Sequence, residues 1–210
     1  MKKIFIMLII LTSVSSLNAQ FIRYIGIKGG VTSSTQTWQG TMADDMPQSK
    51  TGLNIGMFAE FLNLSFLSFV AEANYVEKGY KFDIYATSVS NPDGGQLESH
   101  KYGYNYLNFS LLGKLKLDYP VVSPYLIAGP KIDILLNNSI DGNIIIFPDD
   151  KLNSVRFGFK AGVGAETKLF GLIFLAEFIY DFEIGSLYNY DTATFNTHSL
   201  DFRIGAAIGL

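Results

Sequence analysis

The stretch Val155-Arg156-Phe157-Gly158-Phe159-Lys160-Ala161-Gly162-Val163-Gly164-Ala165-Glu166-Thr167 places an apolar or small residue at almost every odd position and charge or glycine at every even one. Successive side chains on a strand point to opposite sides, so a period of two held this long marks a β-strand with two unlike faces. The pattern recurs along the chain. Leu172, Phe174, Ala176, Phe178, Tyr180, Phe182 and Ile184 oppose a face that carries Glu177, Asp181 and Glu183, and Leu200, Phe202, Ile204, Ala206 and Ile208 oppose Ser199, Asp201, Arg203 and Gly205. Leu53, Ile55, Met57, Ala59 and Phe61 stand against Asn54, Gly56 and Glu60. The same split sets Leu107, Phe109, Leu111, Leu115 and Leu117 against Asn108, Ser110, Lys114 and Lys116, and Ala128, Pro130, Ile132, Ile134 and Leu136 against Gly129, Lys131 and Asp133. Segments at 23–34 and 67–84 bring the count to eight strands, and nothing after residue 20 reads as a helix.

Connection lengths alternate. Asn63-Leu64-Ser65, Asp118 to Ser123 and Leu169-Phe170-Gly171 are tight turns, whereas the gaps near 36–50, 86–99, 139–152 and 189–197 are long and rich in Asn, Asp, Gly, Ser and Thr. An even strand count with short connections on one rim and long ones on the other is the plan of an outer-membrane barrel. The predicted fold class is therefore all-β: an eight-stranded antiparallel up-and-down transmembrane β-barrel with short periplasmic turns and long external loops.

Alternation alone does not say which face is interior, because a soluble ligand-carrying barrel turns its apolar face inward. Three observations favour the membrane. The charged face also holds Gly26, Gly30, Gly56, Gly129, Gly158, Gly162, Gly164, Gly205 and Gly209, which make room for long neighbours inside a narrow barrel but have no packing reason on a solvated face. Its charges balance, with Lys28, Lys78, Lys114, Lys116, Lys131, Arg156, Lys160 and Arg203 against Glu60, Glu72, Asp133, Glu166, Glu177, Asp181, Glu183 and Asp201. Buried charge survives only when paired, so these residues are the expected interior network. Aromatics gather toward strand ends, Phe61, Phe66, Phe69, Tyr119, Phe170 and Phe174 near the short turns and Tyr75, Tyr104, Tyr180 and Phe182 toward the loops, as two interfacial girdles would.

Met1-Lys2-Lys3, the apolar run Ile4 to Leu11, and Ser13, Ser15, Ser16 and Ala19 ahead of Gln20 form a secretory signal pattern. The apolar run is far short of the ~20 residues a spanning helix needs. Cleavage after Ala19 divides the chain into a signal peptide, 1–19, and a barrel domain, 20–210, and the absence of cysteine excludes a lipid anchor at the cut, disulfides and thiolate chemistry. Removing Lys2 and Lys3 leaves 14 basic against 19 acidic residues, a net of −5, which disfavours nucleic acid as a partner.

The blocks Gly26-Ile27-Lys28-Gly29-Gly30-Val31, Glu72-Ala73-Asn74-Tyr75-Val76-Glu77-Lys78-Gly79-Tyr80, Tyr106-Leu107-Asn108 through Leu117, Pro124-Tyr125-Leu126-Ile127-Ala128-Gly129-Pro130 and Ala161-Gly162-Val163-Gly164-Ala165-Glu166 resemble the PorT-like outer membrane β-barrel family over roughly residues 23–210. The resemblance implies an eight-stranded outer-membrane barrel. Some members are linked to protein secretion, but the shared blocks are barrel patterning and carry no motif for that role. The chain departs from many outer-membrane proteins in ending on Leu210 where they end on an aromatic residue.

Catalytic signals are sparse. His100 beside Ser99 and His198 beside Ser199 offer the elements of a small lipid-modifying outer-membrane hydrolase, yet strands four and eight face each other across an eight-stranded barrel. Asp181 and Glu183 are candidates for proton transfer, against which stand the lysines of the opposite wall. No phosphate-cradling loop or metal-binding histidine spacing occurs, so no cofactor and no metal are expected. Acidic residues in the long gaps, Asp44, Asp45, Asp93, Glu98, Asp141, Asp149, Asp150 and Asp191 against Lys50 and Lys151, read as ordinary solvated loops, with divalent cations bridging to lipopolysaccharide as the alternative, and Asn91-Pro92-Asp93-Gly94-Gly95 is turn chemistry. The expected function is an integral outer-membrane barrel of structural or interaction type. Its partners are outer-membrane lipid and, through the external loops, lipopolysaccharide or a protein. A lipid-modifying hydrolase, a narrow pore and a soluble periplasmic carrier are the alternatives.

Overall fold

In the computed structural model the chain is described over residues 22–39, 47–64, 66–88, 91–141, 153–184, 187 and 194–210. The expected signal peptide, residues 1–19, and the acidic positions Asp44, Asp45, Asp149, Asp150 and Asp191 lie outside the described residues. Eight strands follow one another: β1 (Ile22–Gln39), β2 (Gln48–Leu64), β3 (Leu67–Ser88), β4 (Asn91–Lys116), β5 (Ser123–Asp141), β6 (Val155–Leu169), β7 (Leu172–Ile184) and β8 (Thr194–Gly209). Each is antiparallel to the next, and β8 returns to β1 from Tyr24↔Gly209 to Gln39↔Thr194, which closes the barrel. Closure leaves no edge strand, so no row of unpaired ladder groups is presented to lipid, which offers them no partner.

A tilted strand needs ~9–11 residues to cross a bilayer. The shortest strand, β7, has 13, while β3 and β4 have 22 and 26 and rise together well past the bilayer. The long gap at 86–99 is thus corrected: the ladder continues through Ala86↔Gln96 to Ser88↔Asn91. Asn91-Pro92-Asp93-Gly94-Gly95 is not the reversal; Pro92 to Gly95 fall in a register shift of that ladder. The other long gaps also shrink, since β1 reaches Gln39, β5 reaches Asp141 and β8 begins at Thr194. Backbone pairing does not require an apolar face, so polar residues extend a register that the apolar part has set. The β6–β7 connection is the two-residue turn Phe170-Gly171 with φ of 52° and 81°, the double positive φ of a type I′ hairpin.

Outward faces are apolar. In β7 exposed and buried residues alternate without a break from Leu172 to Ile184, and Ile27, Met57, Leu111, Phe157, Phe178 and Ile204 are all exposed. Such a continuous belt far exceeds the few hundred Å² of apolar patch a water-soluble monomer carries, and it is what a hydrocarbon solvent favours. Toward the long-gap end the belt gives way to Glu77, Asn105 and Asn137, where Asn105 donates from Nδ2 to Asn137 Oδ1 at 2.6 Å. Phe66, Tyr119, Phe170 and Phe174 are exposed near the short turns, and Tyr180 and Phe182 are exposed at the other end. Tyr104 does not belong to that girdle, because its even position on β4 sends the ring into the barrel, where it is 3% exposed.

Phe178 pairs with both Phe202 and Val163 in the middle of the belt, whereas Phe157 pairs with Ile184, the last residue of β7. Arginine on a barrel's lipid face costs about 2–4 kcal/mol at the midplane and about 0–1 near an interface. Phe178→Arg and Phe202→Arg are therefore expected to lower unfolding stability in lipid vesicles by that larger amount, and Phe157→Arg by the smaller, measured by urea titration with heat-modifiable gel migration as the readout.

Candidate functional site

The face opposite the apolar belt lines the barrel interior, and the network residues named from the sequence are buried there: Lys28, Glu60, Glu72, Lys114, Lys116, Lys131, Asp133, Arg156, Lys160, Glu166, Glu177, Asp181, Glu183, Asp201 and Arg203, together with Lys78. They group by depth. Nearest the short turns, Lys114 pairs with Glu60 at 2.8 Å and with Glu166, Lys116 pairs with Glu166 at 3.0 Å, and Ser68 Oγ donates to Glu60 at 2.9 Å.

At mid-depth the Arg203 guanidinium grips Glu72 with both terminal nitrogens, at 2.9 and 3.1 Å, and reaches Glu177 at 2.6 Å. Lys28 bridges the same two carboxylates at 2.7 and 2.8 Å, and Tyr125 donates its hydroxyl to Glu177 at 2.8 Å. Five strands, β1, β3, β5, β7 and β8, are thus tied across the lumen. Lys160 lies 3.6 Å from Glu72 and donates to Asn108 Oδ1 at 2.6 Å.

Toward the long-gap end Lys78 reaches Asp133, Asp181 and Glu183 at 2.9, 3.0 and 3.1 Å. Lys131 pairs with Asp133 at 2.6 Å and with Asp181, while Arg156 pairs with Glu183. The two ammonium groups stand where a bound cation would otherwise sit among these carboxylates. Among the described residues no cluster of His, Asp or Glu is arranged to hold a metal ion. Asp201 takes its donors from Thr32, from Asn54 Nδ2 at 2.9 Å and from Ser199 Oγ at 3.4 Å.

Glycine seats two of these groups. A Cβ on Gly158 would stand 2.6 Å from Lys131 Cε, and one on Gly164 would stand 2.4 Å from Tyr125 Cζ, so both long side chains cross the lumen only over a bare backbone. Apolar side chains fill the rest. Phe58, Val70, Leu112, Ile127, Ile173, Leu175 and Ile179 pack inside with Tyr125, and Lys28 and Lys114 sit over the rings of Phe58 and Tyr125 at 4.4 and 4.3 Å.

Beyond the outermost charges lies a tyrosine stack that the alternation alone did not mark. Tyr80 and Tyr102 are parallel with ring centroids 5.0 Å apart, Tyr104 lies 6.3 Å from Tyr80, and Arg156 sits over Tyr106 at 4.7 Å. The signal was parity: 80, 102, 104 and 106 share the phase of Lys78 and Asn108, but aromatic residues toward strand ends read more readily as a girdle. The histidines do not meet. His100 is buried inside on β4, whereas His198 on β8 is half-buried on the outer face with its ring 6.3 Å from Tyr180, and Ser199 points inward beside Asp201.

The profile of the outer membrane protein β-barrel domain family matches residues 18–189. The chain belongs to that family. Among solved structures this outer-membrane barrel is similar to Neisserial surface protein A, with a TM-score of 0.51 at 13% identity over 89% of this chain and 97% of that one. It also matches OprG of Pseudomonas aeruginosa, with a TM-score of 0.48 at 10% identity over 91% and 97% of the two chains. No curated protein sequence matches it. The family and the closed eight-stranded fold make it an integral outer-membrane barrel, embedded in lipid by the belt described above. Grooves on that belt, including one of about 990 Å³ lined by Leu115, Leu126, Val163, Ala165 and Phe178, lie over small residues on the lipid side.

Breaking one member of a buried charge pair costs about 3–5 kcal/mol because its partner stays buried. Arg203→Met is expected to lower unfolding stability by that order, and adding Glu177→Gln to restore part of it, a coupling of about 0.5–3 kcal/mol in a double-mutant cycle. The combination of Lys160→Met and Glu177→Gln tests the alternative wiring. Among the described residues no ion pair joins those two, and their coupling is expected to be the smaller.

Proposed function

We propose that the protein is a sealed outer-membrane barrel of structural or interaction type, of the PorT-like kind, exported by a signal peptide at 1–19 and mature over 20–210. Its external end then contacts lipid, lipopolysaccharide or a protein partner. The observation that carries this reading is the filled interior. Side chains lining a water-filled pore keep exposed area, yet Arg203, Lys160, Lys78 and Tyr106, at successive depths, are 0%, 1%, 2% and 0% exposed. An eight-stranded barrel has an interior just wide enough for side chains to fill, and here paired charge and tyrosine fill it. The narrow pore loses support for that reason. A soluble carrier would need its apolar face turned inward, opposite to the exposures observed, and the hydrolase reading loses its adjacent pair on β8, where Ser199 turns into the barrel and His198 lies on the outer face.

In planar bilayers the purified protein is expected to show no stepwise conductance. Regular single-channel steps from the folded barrel would overturn the sealed reading. Orientation is tested separately, by epitope insertion on intact cells: a tag within 142–152 should bind antibody without permeabilisation, and one at 65–66 should not. The reverse result would place the short turns outside.

A further inference from the structure

On the outer wall at the long-gap end of β2, β3 and β4, three lysines converge above the apolar belt. β3 carries Tyr75, Glu77, Gly79 and Lys81 on its outward row, and β4 carries Leu107, Asn105, Gly103 and Lys101 on its own, paired as Tyr75↔Leu107, Glu77↔Asn105, Gly79↔Gly103 and Lys81↔Lys101. Gln48 is registered opposite Lys81, and a shift in the β2–β3 ladder between Ser49 and Asn54 frees Lys50 from that ladder. Ser34 replaces the missing bonds by accepting from Gly79 N at 2.7 Å and donating to Gly79 O at 2.8 Å. Lys50 then lies across the glycine pair: a Cβ on Gly79 would stand 2.7 Å from Lys50 Cδ, and one on Gly103 would stand 2.7 Å from Lys50 Nζ and 2.6 Å from Ser139 Oγ. Lys81 and Lys101 are close enough to Lys50 to act on its charge, as is Glu77.

Like charges directly opposite on neighbouring strands destabilise a sheet, and Lys81 faces Lys101. Glu77 is the one acidic side chain described beside them, and Lys101 has Asp141 as its register partner on β5. Asp83 follows Lys81 on the same row. The three ammonium groups converge on a bare glycine seat flanked by Ser139, Asn105 and Asn137, and together they offer several donors to an anion with several oxygens. Height selects the anion. Gly103 stands four residues beyond Leu107, where the apolar belt gives way to Asn105 on its row, which at ~3.3 Å per residue and a tilt of ~40° is roughly 10 Å above the belt, where headgroup phosphates lie.

We propose that Lys50, Lys81 and Lys101 bind the phosphate groups of the lipid A headgroup in the outer leaflet, with Gly79 and Gly103 seating Lys50 beneath them. The assignment to the outer leaflet rests on the external placement of the β3–β4 hairpin, whereas the affinity itself does not.

The test uses the purified folded barrel in detergent, titrated by microscale thermophoresis with bis-phosphorylated lipid A, with the same lipid dephosphorylated, and with phosphatidylglycerol. Charge-assisted hydrogen bonds to several lysines predict a preference of at least about tenfold for the phosphorylated form. The triple variant Lys50→Gln, Lys81→Gln, Lys101→Gln should lose that preference, and the triple replacement by Arg should keep it, both with parental heat-modifiable migration. The proposal is overturned by a parent without the preference, by a Gln variant that retains it, or by phosphatidylglycerol displacing lipid A at equal phosphate. Because detergent imposes no orientation, these results stand apart from the epitope experiment, whose failure alone would reassign only the leaflet.

Discussion

Hydrocarbon offers no hydrogen-bond partner and no solvation for charge, and the rest of this structure follows from that constraint. Unpaired backbone groups cost several kcal/mol each in lipid, so the sheet must close, and it does so through the long β1–β8 ladder. The same constraint sorts side chains. Apolar groups gain nothing from hiding inside when the surroundings are themselves apolar, whereas lysines and carboxylates have only the interior in which to be satisfied. The barrel is an inverted globule, and its central contacts are ion pairs.

Ion pairs buried this deeply add little net stability over well-packed apolar groups, since desolvation offsets most of the Coulomb attraction. Their effect is directional. A shared apolar core tolerates small shifts of one strand against another, but Arg203 holding Glu72 with two nitrogens and Glu177 with one is satisfied in a single register of β3, β7 and β8. A one-residue slip of any of these strands would turn its charged row into lipid. The network therefore fixes register and fills the lumen.

The long-gap end obeys different rules because water and headgroups return there. Polar residues continue the ladder of β3 and β4 far beyond the bilayer, tyrosines take over from charge inside the mouth, and lysines appear on the outer wall above the apolar belt. The surroundings thus change along one pair of strands, from belt to rim to water.

Period-two alternation, read with the rhythm of short and long connections, was enough to determine the strand count, the antiparallel order, and which residues share a face. Those are properties of the pleat, which any two-faced strand must obey. The alternation was blind to ladder length, as at 86–99, where composition resembles a loop but strand pairing continues, and to the inward turn of Tyr104, whose type suggested a girdle while its parity did not. It also placed charges on a face without saying which touch. That Glu177 meets Lys28 and Arg203, or that Lys50 lies over Gly79 and Gly103, depends on the stagger of eight strands around a closed circle and on a shift in one ladder. Both bring together residues far apart in the chain, and only the tertiary structure decided them.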